Sequence, residues 1–106
     1  MKEWSAFLDT YFPDADKTSS FAVYGYLIGK TVEQVIRQCG DDLTRENVMR
    51  QAANLKNFEL GLLLPGVKIN TSPTSYYPVQ QMQLTRFNGA SFDNFGSVIG
   101  GELLSD

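Results

Sequence analysis

Residues 18–38 read Thr18-Ser-Ser-Phe21-Ala-Val-Tyr24-Gly25-Tyr26-Leu-Ile28-Gly29-Lys-Thr-Val32-Glu-Gln-Val35-Ile-Arg-Gln38. This is the longest stretch of the chain with helical periodicity. Phe21, Tyr24, Leu27, Ile28, Val32, Val35 and Cys39 recur at the three-and-four spacing of a buried helix stripe. Ala22, Gly25 and Gly29 share a second face made only of small residues. A glycine inside a helix costs roughly 1 kcal/mol relative to alanine. Two on one face imply that a sheet, another helix or a ligand must come very close.

Working outward, Thr18, Ser19 or Ser20 supplies the cap for this helix. Gly40 is placed to end it in a left-handed conformation, with Asp41 and Asp42 in the turn beyond. Upstream, Trp4, Phe7, Leu8, Tyr11 and Phe12 lie on one helical face. The spacing predicts a short helix over 2–11, ended by Pro13, because the residue before a proline avoids the helical region. Downstream, Thr44 caps a third helix, with Leu43 and Val48 set to form a hydrophobic staple. Phe58 to Leu64 is an apolar patch, read either as a helical turn or as a buried connector, and Pro65-Gly66 stops it.

Beyond this point the period changes. Val67-Lys68-Ile69-Asn70 alternates as a short strand, and 71–78 is a hydroxyl-rich loop with two prolines. Val79–Phe87 alternates again. Asn88-Gly89 is a hairpin signal, since both residues tolerate positive φ. Residues 91–98 supply the returning strand. Three helices, a short strand and a β-hairpin read locally as α+β. A lone hairpin is marginal as a sheet, so the glycine-faced helix expects more sheet than the chain supplies.

Composition narrows the function classes. The chain has 106 residues, 42% hydrophobic and 12% aromatic, with a net charge of −3, which suits an ordered domain. Lys and Arg are scattered, with no basic stripe, so nucleic acid is not an expected partner. With no histidine and a single cysteine, Cys/His zinc sites, His-based triads and internal disulfides are excluded. Cys39 reads as a small buried hydrophobe. No apolar run is long enough to span a membrane. The N-terminus, with Glu3 and Asp9, does not read as a signal peptide.

The chemistry-bearing residues are sparse. Asp14/Asp16 and Asp41/Asp42 sit in turns, where carboxylates cap and solvate rather than converge on a cleft. The Thr71–Ser75 hydroxyls have no base placed beside them. No phosphate-binding loop is present, and Gly25 and Gly29 lie within a helix rather than between strand and helix. No catalytic residue, cofactor or metal is assigned, and the chain is not expected to be an enzyme. Tyr24 and Tyr26, and the Tyr76-Tyr77 pair, could line a cleft with polar tips. The plainer alternative makes Tyr24 core and Tyr76 or Tyr77 a packing anchor.

Taken together, SSFAVYGYLIGKTVEQVIRQCGDDLTRENVMRQAANL and PGVKINTSPTSYYPVQQMQLTRFNG resemble the C-terminal segment of type I periplasmic solute-binding proteins. The branched-chain amino acid-binding group of ABC importers is the most similar. The resemblance runs over roughly 1–99 and rests on ordered, spaced motifs. These are Tyr24-Gly25-Tyr26, then Leu43-Thr44-Arg45-Glu46-Asn47-Val48, then Gly66 to Asn70. Ser72-Pro73-Thr74 with its tyrosines and Gln80 to Gly89 complete the set. The sequence departs from the pattern at Ser75, where an acidic residue is common, and at Phe92, where a tryptophan is common.

The resemblance implies an α/β fragment of a two-lobed fold that closes on its ligand about a hinge. Residues 1–106 would form one partial domain. Within it, 1–12 would be the last helix of the second lobe, and 18–80 would be helices and strand of the first lobe. Residues 79–99 would form a hinge strand and hairpin, with Gly25, Gly29, Pro78, Asn88 and Gly89 in hinge or structural roles. Tyr24 and Tyr26 would be the ligand-facing residues. The implied partners are an amino acid-like solute, an ABC permease and the lobes encoded elsewhere, in a periplasmic or extracytoplasmic setting. The alternative is a free-standing α+β domain that self-associates or binds another protein.

Overall fold

The computed structural model describes residues 2–100. Its elements are helix α1 (Lys2–Tyr11), α2 (Ser20–Cys39) and α3 (Arg45–Ala52), then strands β1 (Gln81–Phe87) and β2 (Phe92–Gly100). The architecture is α+β, with three helices and one two-stranded antiparallel sheet. The chain divides into two compact units. One runs to Ala52 and includes Leu60–Leu62; the other comprises Ala53–Glu59 and the chain from Leu63 onward.

In the first unit, α1 ends before Pro13 as its sequence requires. Phe12 still donates its N–H to the Leu8 carbonyl at 2.8 Å. Trp4 and Leu8 are its buried residues. The entry to α2 is tied one turn upstream of the serines. Asp16 accepts from the Thr18 backbone N–H (2.8 Å) and hydroxyl, and Ser19 stands at the cap position without a side-chain cap bond. At the other end, Gly40 has φ 59° but ψ −129°. It uses the freedom of a residue without a Cβ, yet it is not left-handed helical as expected.

The predicted stripe of α2 is buried only at its C-terminal end, at Val35 and Cys39. Phe21 is 86% exposed and Tyr24 64% exposed, and Ile28 and Val32 are also exposed. Length explains this correction. Twenty residues make a helix about 30 Å long, whereas the eight residues of α3 span about 12 Å. α3 packs on α2 but is too short to cover its whole length.

The α2–α3 corner is held by Asn47, 6% exposed and the one buried polar side chain among the described residues. Its Nδ2 donates to the carbonyls of Asp42 (2.7 Å) and Cys39 (3.4 Å). Its Oδ1 accepts from Arg50 and Gln51. Thr44 caps α3 as its position predicts, with Oγ1 accepting the Asn47 N–H at 3.3 Å. Leu43 is exposed, so the expected staple to Val48 does not bury it.

In the second unit, Leu55, Val67 and Ile69 form the buried apolar set. The expected strand at 67–70 is reduced to a single antiparallel bridge, Ile69 to Phe58, with N–H to carbonyl distances of 2.8 and 3.1 Å. On the side of that bridge toward Leu55 and Thr71, side chains share the pairing with one backbone bond, Thr71 N–H to the Leu55 carbonyl at 2.9 Å. Thr71 Oγ1 accepts the Leu55 N–H and Asn70 Oδ1 accepts the Asn57 N–H, each at 2.9 Å. This shortens the ladder and leaves no strand.

The hairpin forms where expected. Its pairs are Met82 with Ile99, Leu84 with Phe95, Thr85 with Asn94, Arg86 with Asp93 and Phe87 with Phe92. The register shifts between Met82 and Leu84, so Gln83 faces three residues, 96–98. Gly96 takes φ 72° there. Alternation puts Met82, Leu84, Phe95 and Ile99 on one face, and all four are exposed. The connection is the four-residue loop 88–91 rather than a two-residue turn. Gly89 has φ 100°, and Asn88 is not among the positive-φ residues.

Candidate functional site

A concave feature of the first unit is a groove between α1 and α2, with a volume of about 770 Å³. Ligand sites commonly occupy about 300–1,000 Å³. Its walls are aromatic, from Phe7, Tyr11, Phe12, Phe21 and Tyr26, and its α2 side is the small-residue run Ala22, Gly25 and Gly29. A Cβ built at Gly25 or Gly29 meets nothing within 4 Å. The face expected to receive a close neighbour is open.

Phe7 anchors the groove. Its ring lies 5.1 Å from that of Tyr26, edge to face, and 4.9 Å from that of Tyr11. These are the spacings aromatic pairs prefer. At one end the Lys30 ammonium sits 3.2 Å from the Glu3 carboxylate and 5.9 Å from the Tyr26 ring centroid. Tyr26 also points its hydroxyl at Glu3 Oε1, 3.5 Å away. The hydrogen bond to Glu3, then the charge of Glu3, raises the Lys30 pKa above its ordinary 10.5. Glu33 is held below its ordinary carboxyl value, chiefly by the Arg37 guanidinium and then by Lys30.

Of the two tyrosines singled out in the sequence, Tyr26 lines the groove and Tyr24 does not. Two residues apart on a helix, they point to nearly opposite sides. Tyr76 and Tyr77 belong to the second unit and are exposed. Gly25 and Gly29 line the groove with Tyr26. Pro78 lies in the loop before β1, where its carbonyl accepts the Asn70 N–H at 3.0 Å. Asn88 and Gly89 form the hairpin loop.

Glu3, Phe7 and Lys30 were not singled out in the sequence. The signal was the four-residue spacing of Glu3, Phe7 and Tyr11, which places them on one side of α1. Phe7 and Tyr11 were instead counted with the apolar face of Trp4 and Leu8.

The groove offers aromatic edges, the paired cation of Lys30 and the paired carboxylates of Glu3 and Glu33. It suits non-covalent contact with a small or flat apolar group, and no nucleophile paired with a base lies in it. Among the described residues there is no group of three or more His, Cys, Asp or Glu side chains that could hold a metal ion. None of the described helices is long and apolar enough to cross a membrane. Comparison of the chain with protein-family models, curated proteins and solved structures finds no match.

Proposed function

We propose that the chain is the C-terminal portion of an extracytoplasmic solute-binding protein that captures an amino acid or similar small organic solute for ABC-type import. In this reading it is part of a two-lobed α/β fold and passes its solute to a permease. One observation carries it beyond the ordered motifs. The N-terminal part of α2 presents Phe21, Tyr24, Ile28 and Val32 uncovered, next to Gly25 and Gly29 with open space at their Cβ positions. Such a face suits close packing on a flat apolar surface, as a parallel sheet would supply.

The test is a graft. The 106-residue chain replaces the corresponding C-terminal segment of a branched-chain amino acid-binding protein, and calorimetry follows an amino-acid panel. A folded chimera that binds an amino acid supports the reading, and the isolated chain should give no saturable heat. Tight stoichiometric binding by the isolated chain, or a chimera that cannot fold, counts against it.

The apolar face of the hairpin favours a second reading, a free-standing domain that buries Met82, Leu84, Phe95 and Ile99 against another copy or another protein. Light scattering separates the two. Concentration-dependent association abolished by Leu84→Ser and Phe95→Ser supports the second reading, and a monomer at all concentrations removes it.

A further inference from the structure

We propose that Asn88 is a site of spontaneous deamidation, and that its conversion opens the hairpin. Asn88 is the one asparagine of the chain followed by glycine. Gly89 carries no Cβ to hinder attack by its own nitrogen, and open space surrounds it. Its N–H takes no part in the hydrogen bonds of the loop, which run from Asn88, Ala90 and Ser91.

The Asn88 amide is set up for the reaction from its other side. Oδ1 accepts the backbone N–H groups of Ala90 and Ser91, both at 2.9 Å. Two such donors stabilise negative charge developing on a carbonyl oxygen under attack, as in an oxyanion hole. Nδ2 donates to Ser91 Oγ at 3.1 Å and to Asp93 Oδ2 at 3.0 Å, so a carboxylate lies beside the group that leaves.

In the step itself, the Gly89 nitrogen loses its proton to hydroxide and forms a bond to Asn88 Cγ. The Cγ–Nδ2 bond then breaks, and Nδ2 takes up a proton and departs as ammonia. Water adds to one carbonyl of the resulting succinimide and reopens the ring to aspartate or isoaspartate. The net change is one water consumed and one ammonia released.

The product does not fit the loop. The donor that bridged to Ser91 and Asp93 becomes a carboxylate oxygen, so like charges meet where a hydrogen bond stood. Isoaspartate also lengthens the main chain at the loop. A two-stranded hairpin has little stability to spare.

The experiment incubates the full chain at neutral pH and physiological temperature. It follows the one-dalton mass gain by peptide mapping, beside the free peptide covering 84–95. The expected result is conversion at Asn88 ahead of every other asparagine, in the folded chain at least as fast as in the peptide. Conversion should be several-fold slower in Gly89→Ala. Asn88→Asp should show faster amide exchange over 81–87, while exchange in the helices is unchanged. Folded-chain conversion markedly slower than in the peptide would overturn the proposal, because the loop would then protect Asn88. So would an Asn88→Asp hairpin with unaltered exchange.

Discussion

The side-chain amide of Asn47 donates to the backbone carbonyl of Asp42 at 2.7 Å, across the turn that joins α2 to α3. The same nitrogen reaches the carbonyl of Cys39 at 3.4 Å, so one buried side chain closes the end of α2 and the start of the next turn together. Orphan carbonyls at a helix end need such donors. Replacing Asn47 by leucine keeps the bulk but takes the side-chain donor from the Asp42 carbonyl and leaves the Cys39 carbonyl with the Asp42 N–H alone, at 3.2 Å. We expect a loss of about 1–3 kcal/mol, read as a lower urea midpoint by helical circular dichroism. Asn47→Asp should be at least as damaging, since it removes both donors and adds a charge. A midpoint within error of the parent chain would show that water serves these carbonyls equally well.

The hairpin bulge rests on a similar substitution of side chain for backbone. Where the register shifts, Gln83 Nε2 donates to the Gly96 carbonyl at 2.7 Å. Gly96 holds φ 72°, and a methyl group there would meet no atom within 4 Å. Gly96→Ala should therefore cost only the backbone strain, about 1–2 kcal/mol. Gln83→Ala should cost about 0.5–1.5 kcal/mol. Because the two share one carbonyl, the double variant should lose less than the sum. Amide exchange of β1 and β2 is the measurement, and strictly additive losses would separate the bond from the bulge.

These two examples mark the limit of what the sequence makes legible. Helix positions were readable because Pro13, Thr44 and the three-and-four spacing act locally. The hairpin was readable from Asn88-Gly89 between alternating runs. Burial along α2 was not, because periodicity tells which residues share a face but not what covers it. Phe21 and Val35 belong to one stripe and end with opposite fates. Asn47 gave no signal either, since its role comes from carbonyls five and eight residues earlier that only the folded turn brings to it. In the groove, Tyr26 was legible as an aromatic with a polar tip. Its partners Phe7 and Glu3 come from another helix and were not.

Stability should fall on the acid side through surface carboxylates. The Thr44 hydroxyl, then its backbone N–H, holds Asp42 below its ordinary 3.8. The Thr18 hydroxyl and N–H do the same for Asp16, and Arg37 does it chiefly for Glu33 from an ordinary 4.5. Each has a folded pKa below its unfolded one. Its contribution is present above the unfolded value and disappears as pH falls through the folded value. Lys30, raised above 10.5, behaves oppositely: its contribution is present below 10.5 and is lost as pH climbs through the raised value. Urea midpoints should thus be level between the two limbs. They should drop at acid pH less steeply in Asp42→Asn, which cannot titrate there. An unchanged acid limb in a combined Asp16→Asn, Asp42→Asn and Glu33→Gln variant would assign acid unfolding to other groups. The groups are exposed, so salt should shrink the effect.

The glycines of α2 allow the sharpest separation between what this chain needs and what an absent neighbour would need. Gly25 and Gly29 lie within the helix, neither has a positive φ, and a methyl group at either would meet nothing within 4 Å. Among the described residues, then, alanine brings no clash and removes the backbone entropy that glycine loses on folding. Gly25→Ala and Gly29→Ala should each stabilise the isolated chain by about 0.5–1 kcal/mol. In a two-lobed chimera, where the solute-binding reading sets this face against a sheet, the same substitutions should destabilise, because close-packed interiors do not absorb an added methyl group without strain. Opposite signs in the two settings would mean that the glycines serve a surface the chain does not itself contain. Stabilisation in both would mean that nothing approaches them closely, and would remove the main physical support for that reading.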